Sequence, residues 1–399
     1  MMMQKELFEK LVSIRRQLHS NPELGYQEVE TANLICKELD ALGIPYRKGI
    51  AKTGVVATLT KGEGPCIALR ADMDALPIEE ENNLSFKSKK KLQIQNSSQI
   101  PLMHACGHDM HTTMLLGAAA ILKDKDFNGS VKFIFQPSEE GVYDDPEKKS
   151  GGQRIVESGE LDNVRSALSL HVHPLLPVGK IAYKLGQALA CANFFKIEIK
   201  GKMAHAAVAP HLGIDAILMA SQLIQSISSI VYKYIAPNEP SVISFTKING
   251  GIAPNVIADH VIIEGTVRAL DISTYNQVLD RMNKIIEGVK ISFGGDITIE
   301  YNLNYPSLLN DKDVHQNLSE TLTNLFGKEN IIPIDAILGS EDFAFYSRKV
   351  PSMFYFLGAK DIDNNQYFLH DSKVTFNEDS IPYGAELLAE GALTLLKNH

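Results

Sequence analysis

Residues 194–199 read Phe-Phe-Lys-Ile-Glu-Ile, and this short stretch decides how the chain is divided. Its apolar and polar residues largely alternate, which is typical of a strand with one buried and one exposed face. It is followed by a helical pattern at residues 214–230, alternating strands at 242–248 and 261–269, a second helix at 274–291 and a last strand at 297–303. The order strand-helix-strand-strand-helix-strand predicts a ferredoxin-like α+β unit.

The sequence on both sides of this block has a different character. Helical patterns at residues 8–18, 28–42 and 113–122 alternate with short apolar strands at 54–59, 66–69, 131–135 and 167–172. Strands separated by helices indicate an α/β domain whose mixed or parallel sheet is covered by helices. Apolar α/β material returns after residue 303 and ends in a helix at 381–397. We therefore predict a catalytic domain formed by residues 1–186 and 303–399, with the α+β domain inserted at 187–302.

The composition of the 399 residues restricts the class of protein. A net charge of -9 argues against a nucleic-acid binder, which is normally basic. No apolar run reaches the ~18 residues of a membrane span, and the N-terminus lacks the pattern of a signal peptide. Four cysteines are too scattered to form a disulfide framework. We expect a cytoplasmic protein that acts on a small molecule and has no nucleic-acid or membrane partner.

The segment richest in reactive side chains is residues 103–111, Met-His-Ala-Cys-Gly-His-Asp-Met-His, directly before a predicted helix. Cys106 and His108 are two residues apart, so at an extended strand end both would point to one side. Thiolate and imidazole are good ligands for Zn²⁺ and related ions. The alternative is a buried cysteine beside surface histidines, but the density of histidines favours a metal site.

Carboxylates follow two of the predicted strands, where α/β sheets place their active sites. Residues 135–141 read Phe-Gln-Pro-Ser-Glu-Glu-Gly, and residues 70–77 read Arg-Ala-Asp-Met-Asp-Ala-Leu-Pro. Of two adjacent glutamates, one can ligate a metal while the other takes a proton from metal-bound water. A charged turn is the alternative. Asp72 or Asp74 could hold a ligand histidine in place, or simply cap a turn.

Further histidines lie at the end of another strand and near the C-terminus. His171 and His173 belong to Leu-His-Val-His-Pro at 170–174 and share a strand face. His370 stands alone in Phe-Leu-His-Asp at 368–371, where an ordinary structural role is the alternative.

These strings, with Gly-Ser-Glu-Asp-Phe at 339–343, occur in an order that resembles one family of enzymes. It is the aminoacylase and metallopeptidase family that includes hippurate hydrolases, indoleacetyl-amino-acid hydrolases and N-acetyl-diaminopimelate deacetylases. The resemblance covers essentially the whole chain. It implies a zinc-peptidase-like catalytic domain with an inserted lid domain, through which such chains often form homodimers. It also implies two divalent metal ions, which on the donor types could be Zn, Mn, Co or Ni.

The resemblance assigns roles to residues of both predicted domains. It implies that the metal ligands are Cys106, His108, Glu140, His171 and His370. It implies that Glu139 is the general base and that Asp74 supports a ligand. In the lid domain it implies that His205 stabilises the oxyanion and that Asn255 and Arg268 bind the substrate's carboxylate or the transition state. Arg offers bidentate carboxylate recognition, and His or Asn can donate to developing negative charge. A surface salt bridge is the alternative for Arg268.

The predicted function is that of a metal-dependent amidohydrolase. It would cleave hippurate-like N-acyl-L-amino acids to a carboxylic acid and a free amino acid. Within the same class, an N-acetyl-diaminopimelate deacetylase or a small dipeptidase is the alternative. A thiol hydrolase using Cys106 is a different class, and a chelator would separate it from a metalloenzyme. A non-catalytic metal-binding or ligand-binding protein is a third, but such a protein needs no base at Glu139.

Overall fold

The computed structural model describes residues 3–93, 99–141, 145–362 and 366–397, apart from the side chain at 303. The chain forms two compact units. The first comprises Met1–Gly186, Leu309–Asp335 and Asp342–His399, and the second comprises Gln187–Leu308 and Ala336–Glu341. The last long strand of the second unit continues to Tyr305, so the boundary predicted at residue 302 falls inside that strand.

The helices and strands of the described residues follow one another along the chain. The helices are α1 Lys5–Ser20, α2 Val29–Leu42, α3 His108–Lys123, α4 Gly151–Glu157, α5 Ala216–Tyr234, α6 Ile272–Phe293, α7 Lys312–Phe326, α8 Ala344–Lys349 and α9 Ser380–Lys397, with short 3-10 turns at Pro210–Leu212 and Lys328–Asn330. The strands are β1 Tyr46–Ile50, β2 Gly54–Lys61, β3 Cys66–Asp72, β4 Lys91–Gln93, β5 Gln99–Pro101, β6 Gly129–Gln136, β7 Ser166–His173, β8 Ile181–Tyr183, β9 Gly186–Leu189, β10 Cys191–Lys200, β11 Ser241–Gly250, β12 His260–Ala269, β13 Asp296–Tyr305, β14 Leu308–Asn310, β15 Ile331–Pro333 and β16 Ser352–Gly358. No described helix is both long and apolar enough to cross a membrane.

The first unit is built on a mixed sheet with the strand order β1-β2-β6-β3-β7-β16-β8-β15. Its centre is parallel, because β3 pairs in parallel with β6 and β7, and β7 pairs in parallel with β16. The outer pairs β1 with β2 and β2 with β6 are antiparallel. The central strands are buried along almost their whole length, as expected of parallel strands with helices on both faces.

Helix α3 is buried over almost its whole length. It packs closely against α1 and α9, and Gly117 lies at the crossing. A Cβ atom at Gly117 would lie 2.8 Å from the Cβ of Ala385 and 2.9 Å from a methyl group of Leu11. Only glycine therefore allows these helices to approach so closely. This packing fixes the axis of α3, whose first residue is His108.

The second unit has the strand order β11-β12-β10-β13, and all three pairings are antiparallel. Together with α5 after β10 and α6 after β12, this is the ferredoxin-like topology. Each long helix begins at an aspartate cap: Asp215 accepts the N–H of Ile217, and Asp271 accepts the N–H of Ser273. The predicted fold class, a helix-covered mixed sheet with a ferredoxin-like α+β unit, is confirmed.

Candidate metal centre

The three central strands β3, β6 and β7 end side by side. The register pairs Asp72 with Gln136, the last residues of β3 and β6. Because parallel strands present their carboxyl ends at one edge, the residues that follow them converge there. Asp74 follows the end of β3, Glu139 follows the end of β6, and His171 lies near the end of β7.

The start of helix α3 supplies two more side chains to the same edge. Gly107, between Cys106 and His108, has a left-handed φ of 87°. A Cβ at this position would lie 2.4 Å from Cγ2 of Val172, so both the conformation and the space require glycine. The turn leaves Cys106 and His108 buried beside β7.

The five side chains that the resemblance proposed as ligands come together here. The thiol sulfur of Cys106 lies 3.3 Å from Nε2 of His171 and 3.3 Å from Nε2 of His370. Oε1 of Glu140 lies 3.1 Å from Nε2 of His370 and 3.8 Å from Nε2 of His108. In a tetrahedral site, ligand atoms about 2.0–2.3 Å from one cation are separated from each other by about 3.3–3.8 Å, so most of these spacings suit shared coordination.

The side chains form overlapping groups rather than one ring. Cys106, His108 and His171 form one triad and Cys106, Glu140 and His370 another, each with ligand atoms within 4.8 Å of one another. A further group contains His108, Glu140 and Glu139. Because the two triads share the Cys106 thiol, they outline two adjacent cation positions.

Two buried atoms test whether a cation fits. Nε2 of His108 is shielded from solvent and makes no hydrogen bond with any described residue, and Oε1 of Glu140 is equally shielded and has its closest ion-pair contact with His370. Leaving such atoms unsatisfied costs about 1–3 kcal/mol each, more for charged groups. Both atoms face the cluster, so divalent cations would satisfy them. The residues therefore fit the dinuclear centre that the resemblance implies.

Asp74 contacts two of the proposed ligand residues and orients them. Its Oδ1 lies 3.1 Å from Nδ1 of His108, and its Oδ2 accepts the backbone N–H of Glu140 at 3.0 Å. On the opposite side, Nδ1 of His171 donates to the carbonyl oxygen of Val172 at 2.8 Å. In both histidines the Nδ1 contact turns Nε2 toward the cluster, the usual arrangement around protein-bound metals.

The charges and burial of the cluster favour the binding of cations. Burial, reinforced by the charges of Glu140 and Glu139, raises the pKa of Cys106 well above its usual range. Burial lowers the pKa of His108, but the charge of Asp72 and the contact with Asp74 outweigh it and raise the value to about 10. Thiol and imidazolium would both give up protons to a bound cation, so metal binding releases protons.

Glu139 and His370 face the cluster in different ways. Glu139 is buried, and its Oε1 accepts the N–H of Asp342 at 3.4 Å. The His370 side chain is 52% exposed, so the cluster is open to solvent on this side. His370 has a left-handed φ of 67°, and its N–H donates to the carbonyl of Ala105 at 3.0 Å.

A buried polar network supports this edge of the sheet, and sequence reasoning assigned most of it no role. Oδ1 of Asp72 lies 2.6 Å from Nδ1 of His111, whose Nε2 accepts the N–H of Val172. Arg70 donates to Asp72 and Asp342 at 2.7 Å each. Both ring nitrogens of His111 are thus occupied.

Of the alternatives left open for Asp72, support of the site describes these contacts better than a turn cap. The strings at 70–77 and 339–343 contain Arg70 and Asp342, but spacing alone did not show that they meet.

His205, Asn255 and Arg268 belong to the second unit. His205 is exposed, and its Nδ1 accepts the N–H groups of Ala207 and Val208 at 3.2 Å. Asn255 is also exposed, and its carbonyl accepts the N–H of Ala206, so it lies beside the His205 turn. Arg268 is partly buried and donates to the carbonyl of Leu338 at 3.1 Å and to Oγ of Ser340 at 3.3 Å.

Comparison with known proteins identifies relatives over the whole chain. Residues 68–394 match the family model of peptidase family M20/M25/M40. An IAA-amino acid hydrolase of Arabidopsis thaliana is 38% identical over 398 residues, which cover 98% of this chain and 86% of the relative. An N-acetyl-L-cysteine deacetylase of Bacillus subtilis is 38% identical over 396 residues, covering 98% and 90%.

Two solved structures agree closely with the fold. A putative aminohydrolase from methicillin-resistant Staphylococcus aureus has a TM-score of 0.86 at 34% identity, with 98% of each chain covered. A dinuclear metal binding peptidase of the M20 family from Bacillus subtilis has a TM-score of 0.81 at 32% identity, covering 99% of this chain and 100% of that one. The predicted aminoacylase and metallopeptidase resemblance is confirmed, as is the prediction of a hydrolase. The chain is a member of peptidase family M20/M25/M40.

Proposed function

We propose that this chain hydrolyses the amide bond of N-acyl-L-amino acids, hippurate-like compounds among them, with two divalent cations bound by Cys106, His108, Glu140, His171 and His370. The observation that carries the proposal is the pair of ligand triads sharing Cys106. The names of the relatives also support it, because an IAA-amino acid and an N-acetylcysteine are both N-acyl amino acids.

The catalytic steps are assigned to side chains at the cluster. When bound, two divalent cations lower the pKa of water toward ~7 and polarise the substrate carbonyl. Glu139 removes a proton from the attacking water, and the oxygen adds to the amide carbon. Glu139 then passes the proton to the leaving nitrogen, so that water and amide become a carboxylic acid and a free amino acid. Its burial favours this role, since a shielded carboxylate holds one orientation.

Three residues of the second unit complete the proposal. His205 donates to the oxygen that gains negative charge, in its own chain or in a partner's site. Asn255 and Arg268 bind the substrate carboxylate. Burial lowers the pKa of Arg268, yet the guanidinium stays charged at neutral pH and can form a bidentate pair.

The metal and the assembly are finer points of the same proposal. A thiolate with imidazoles favours Zn²⁺, while the carboxylate and histidines also suit Mn²⁺, Co²⁺ or Ni²⁺. We place a homodimer contact on the second unit, where β11 is an edge strand and the α5 side chains Ile217 and Leu218 are about half exposed. A cytoplasmic setting remains a prediction that agrees with the four free cysteines.

A thiol hydrolase is the main competing mechanism, and the burial of Cys106 opposes it. A nucleophilic cysteine needs a lowered pKa, whereas burial raises that of Cys106.

Metal analysis combined with a hydrolysis screen tests the proposal. We expect two equivalents of a divalent metal per chain and hydrolysis of at least one of the benzoyl, acetyl or indoleacetyl amino acids. Acetyl-diaminopimelate and dipeptides belong in the same screen as competing substrates. Chelation should abolish turnover, and metal should restore it. Full activity after complete metal removal would contradict the metal mechanism and support the thiol.

A further inference from the structure

The turn at residues 138–141, here called the carboxylate turn, carries Glu139 and Glu140 in a strained conformation. Ser138 opens the turn with a φ of 49° and is completely buried. A left-handed backbone is unfavourable for a residue other than glycine and persists only where the surroundings hold it. The contacts of Ser138 should therefore reveal what fixes the direction of the two carboxylates.

Every polar group of Ser138 has a partner. Its N–H donates to Oε1 of Glu28 at 2.9 Å, and its carbonyl accepts the N–H of Gly151 at 3.0 Å. Its hydroxyl donates to the carbonyl of Gly141 at 2.6 Å, across the turn itself. Among these partners, Glu28 alone contributes a side chain, so it can be changed without altering the backbone.

Glu28 is itself rigidly held. It is fully buried directly before helix α2, and its carbonyl accepts the N–H of Ala32 in the first helical turn. Its Oε2 lies 2.5 Å from Oγ1 of Thr53. Three residues earlier, Gly25 packs against Ser138 so closely that a Cβ there would lie 2.7 Å from the Ser138 hydroxyl. The segment containing Glu28 is therefore held rigidly and packs against the carboxylate turn.

We propose that Glu28 is a positioning residue whose carboxyl group, by holding the Ser138 N–H, sets the geometry from which Glu139 and Glu140 reach the cations. This inference rests on the function proposed above for those two glutamates. Glu28 has no contact with the five metal ligands among the contacts of the described residues, so its effect must pass through the turn.

The chemistry of Glu28 offers a matched pair of variants. Burial, with the nearby charge of Asp74, raises the pKa of Glu28 to about 8, so the group is largely neutral at pH 7. Glutamine is then nearly isosteric: its oxygen can accept from Ser138, and its amide can donate to Thr53. Alanine removes both contacts.

The test compares wild type, Glu28→Ala and Glu28→Gln as full-length chains with Zn²⁺ and, separately, Mn²⁺. Displacing catalytic groups by about 1 Å can lower turnover on the order of 10²-fold. We expect Glu28→Ala to lower kcat by about that factor with little change in KM, and to weaken metal retention against a competing chelator. We expect Glu28→Gln to restore both quantities to within about threefold of wild type.

Glu23→Ala is the control for a purely structural effect. Glu23 is also buried and accepts the N–H groups of Glu30 and Thr31 at the start of α2, but it makes no contact with the carboxylate turn among the described residues. It should lower stability while kcat and metal retention stay close to wild type. Should Glu28→Ala fail to fold, Thr53→Val removes one support of the Glu28 carboxyl group and should lower kcat by a smaller factor.

The outcomes separate the two proposals. Wild-type kcat and metal retention in Glu28→Ala, or in Thr53→Val if only that variant folds, would overturn the role of Glu28. An equal loss of kcat in Glu23→Ala would overturn it as well. A wild-type chain that neither binds metal nor hydrolyses any acyl amino acid would instead overturn the proposed function.

Discussion

Nε2 of His370 lies 3.3 Å from the sulfur of Cys106, although 264 residues separate the two in the chain. The contact depends on the backbone, because the N–H of His370 donates to the carbonyl of Ala105, the neighbour of Cys106. At this contact His370 has a left-handed φ of 67°. The C-terminal segment is thus attached directly to the loop before α3, and one triad exists only because of this attachment.

Glu139 and Glu140 are adjacent, but we expect their substitution to have different effects on metal binding and on kcat. Glu139→Gln should keep both metals and lose about 10²–10⁴-fold in kcat, because an amide cannot accept the proton from water. Glu140→Gln should lose metal, because Glu140 lies 3.1 Å from His370 and belongs to a ligand triad. Metal content by mass spectrometry and kcat under metal saturation distinguish the two cases.

The same metal content and the same kcat in both variants would contradict the separate roles of Glu139 and Glu140. In particular, a metal-depleted Glu139→Gln protein would mean that Glu139 is a ligand, and the group it forms with His108 and Glu140 would then be a coordination site.

The local patterns explain why much of this site could be found from sequence. Parallel strands end together, so the residues after β3 and β6 had to meet at one edge. The periodicity at 194–199 and in the following elements likewise led to the four-stranded antiparallel sheet. His370 is the opposite case: nothing local in Phe-Leu-His-Asp points to Cys106, and only the family resemblance suggested it.

Other features depend on packing that sequence spacing does not encode. Strand β16 lies between β7 and β8, but after residue 303 the sequence pattern predicted only apolar α/β material. Glu28 appeared merely as the first residue of a helical pattern. Its contact with Ser138 joins positions 110 residues apart, and no periodicity predicts such a pair.

Asp74→Asn should weaken metal binding without unfolding the chain. Both carboxylate oxygens of Asp74 face partners, one the Nδ1 of His108 and the other the N–H of Glu140. Asparagine has only one acceptor, so one contact is lost and its amide opposes the N–H of Glu140. Loss of such an outer contact typically costs about 10–100-fold in metal affinity. Competition with a chelator measures it.

Asp124→Asn is a suitable control for the change of charge, because Asp124 is exposed at the end of α3. It should bind metal like wild type. An Asp74→Asn variant with the same metal affinity as Asp124→Asn would show that Asp74 does not orient His108.

Gly107→Ala should destabilise the chain and disturb the centre together. The added Cβ meets Cγ2 of Val172 at 2.4 Å, and the φ of 87° is strained for alanine. A residue held in such a conformation costs about 1–3 kcal/mol before the clash is counted. The loss in the free energy of unfolding is measured with denaturant, and the metal content of the folded protein is measured beside it.

A glycine of the second unit, Gly288, provides the control for Gly107→Ala. Gly288 lies on the exposed face of α6, and a Cβ there would meet no atom within 4 Å. Gly288→Ala should therefore stabilise by about 0.5–1 kcal/mol, because alanine loses less backbone entropy in a helix. If Gly107→Ala were as stable as wild type or more stable, the steric argument for Gly107 would be wrong.

The raised pKa of Glu28 predicts a pH dependence of stability. Burial raises this pKa from its ordinary value of 4.5 to about 8 in the folded chain. As the pH rises above about 4.5, the unfolded chain loses the Glu28 proton while the folded chain keeps it, so Glu28 stabilises the fold less and less. The loss approaches about 1.4 kcal/mol per pH unit at most and ends near the folded pKa.

In Glu28→Gln the side chain has no carboxyl group to ionise in either the folded or the unfolded state. The variant should therefore gain stability relative to wild type as the pH is raised from about 5 to about 8. Denaturant unfolding of both proteins at equal metal load checks this, because pH effects of the metal ligands cancel in the difference. A constant difference across that range would show that Glu28 ionises in the folded chain much as it does in the unfolded one.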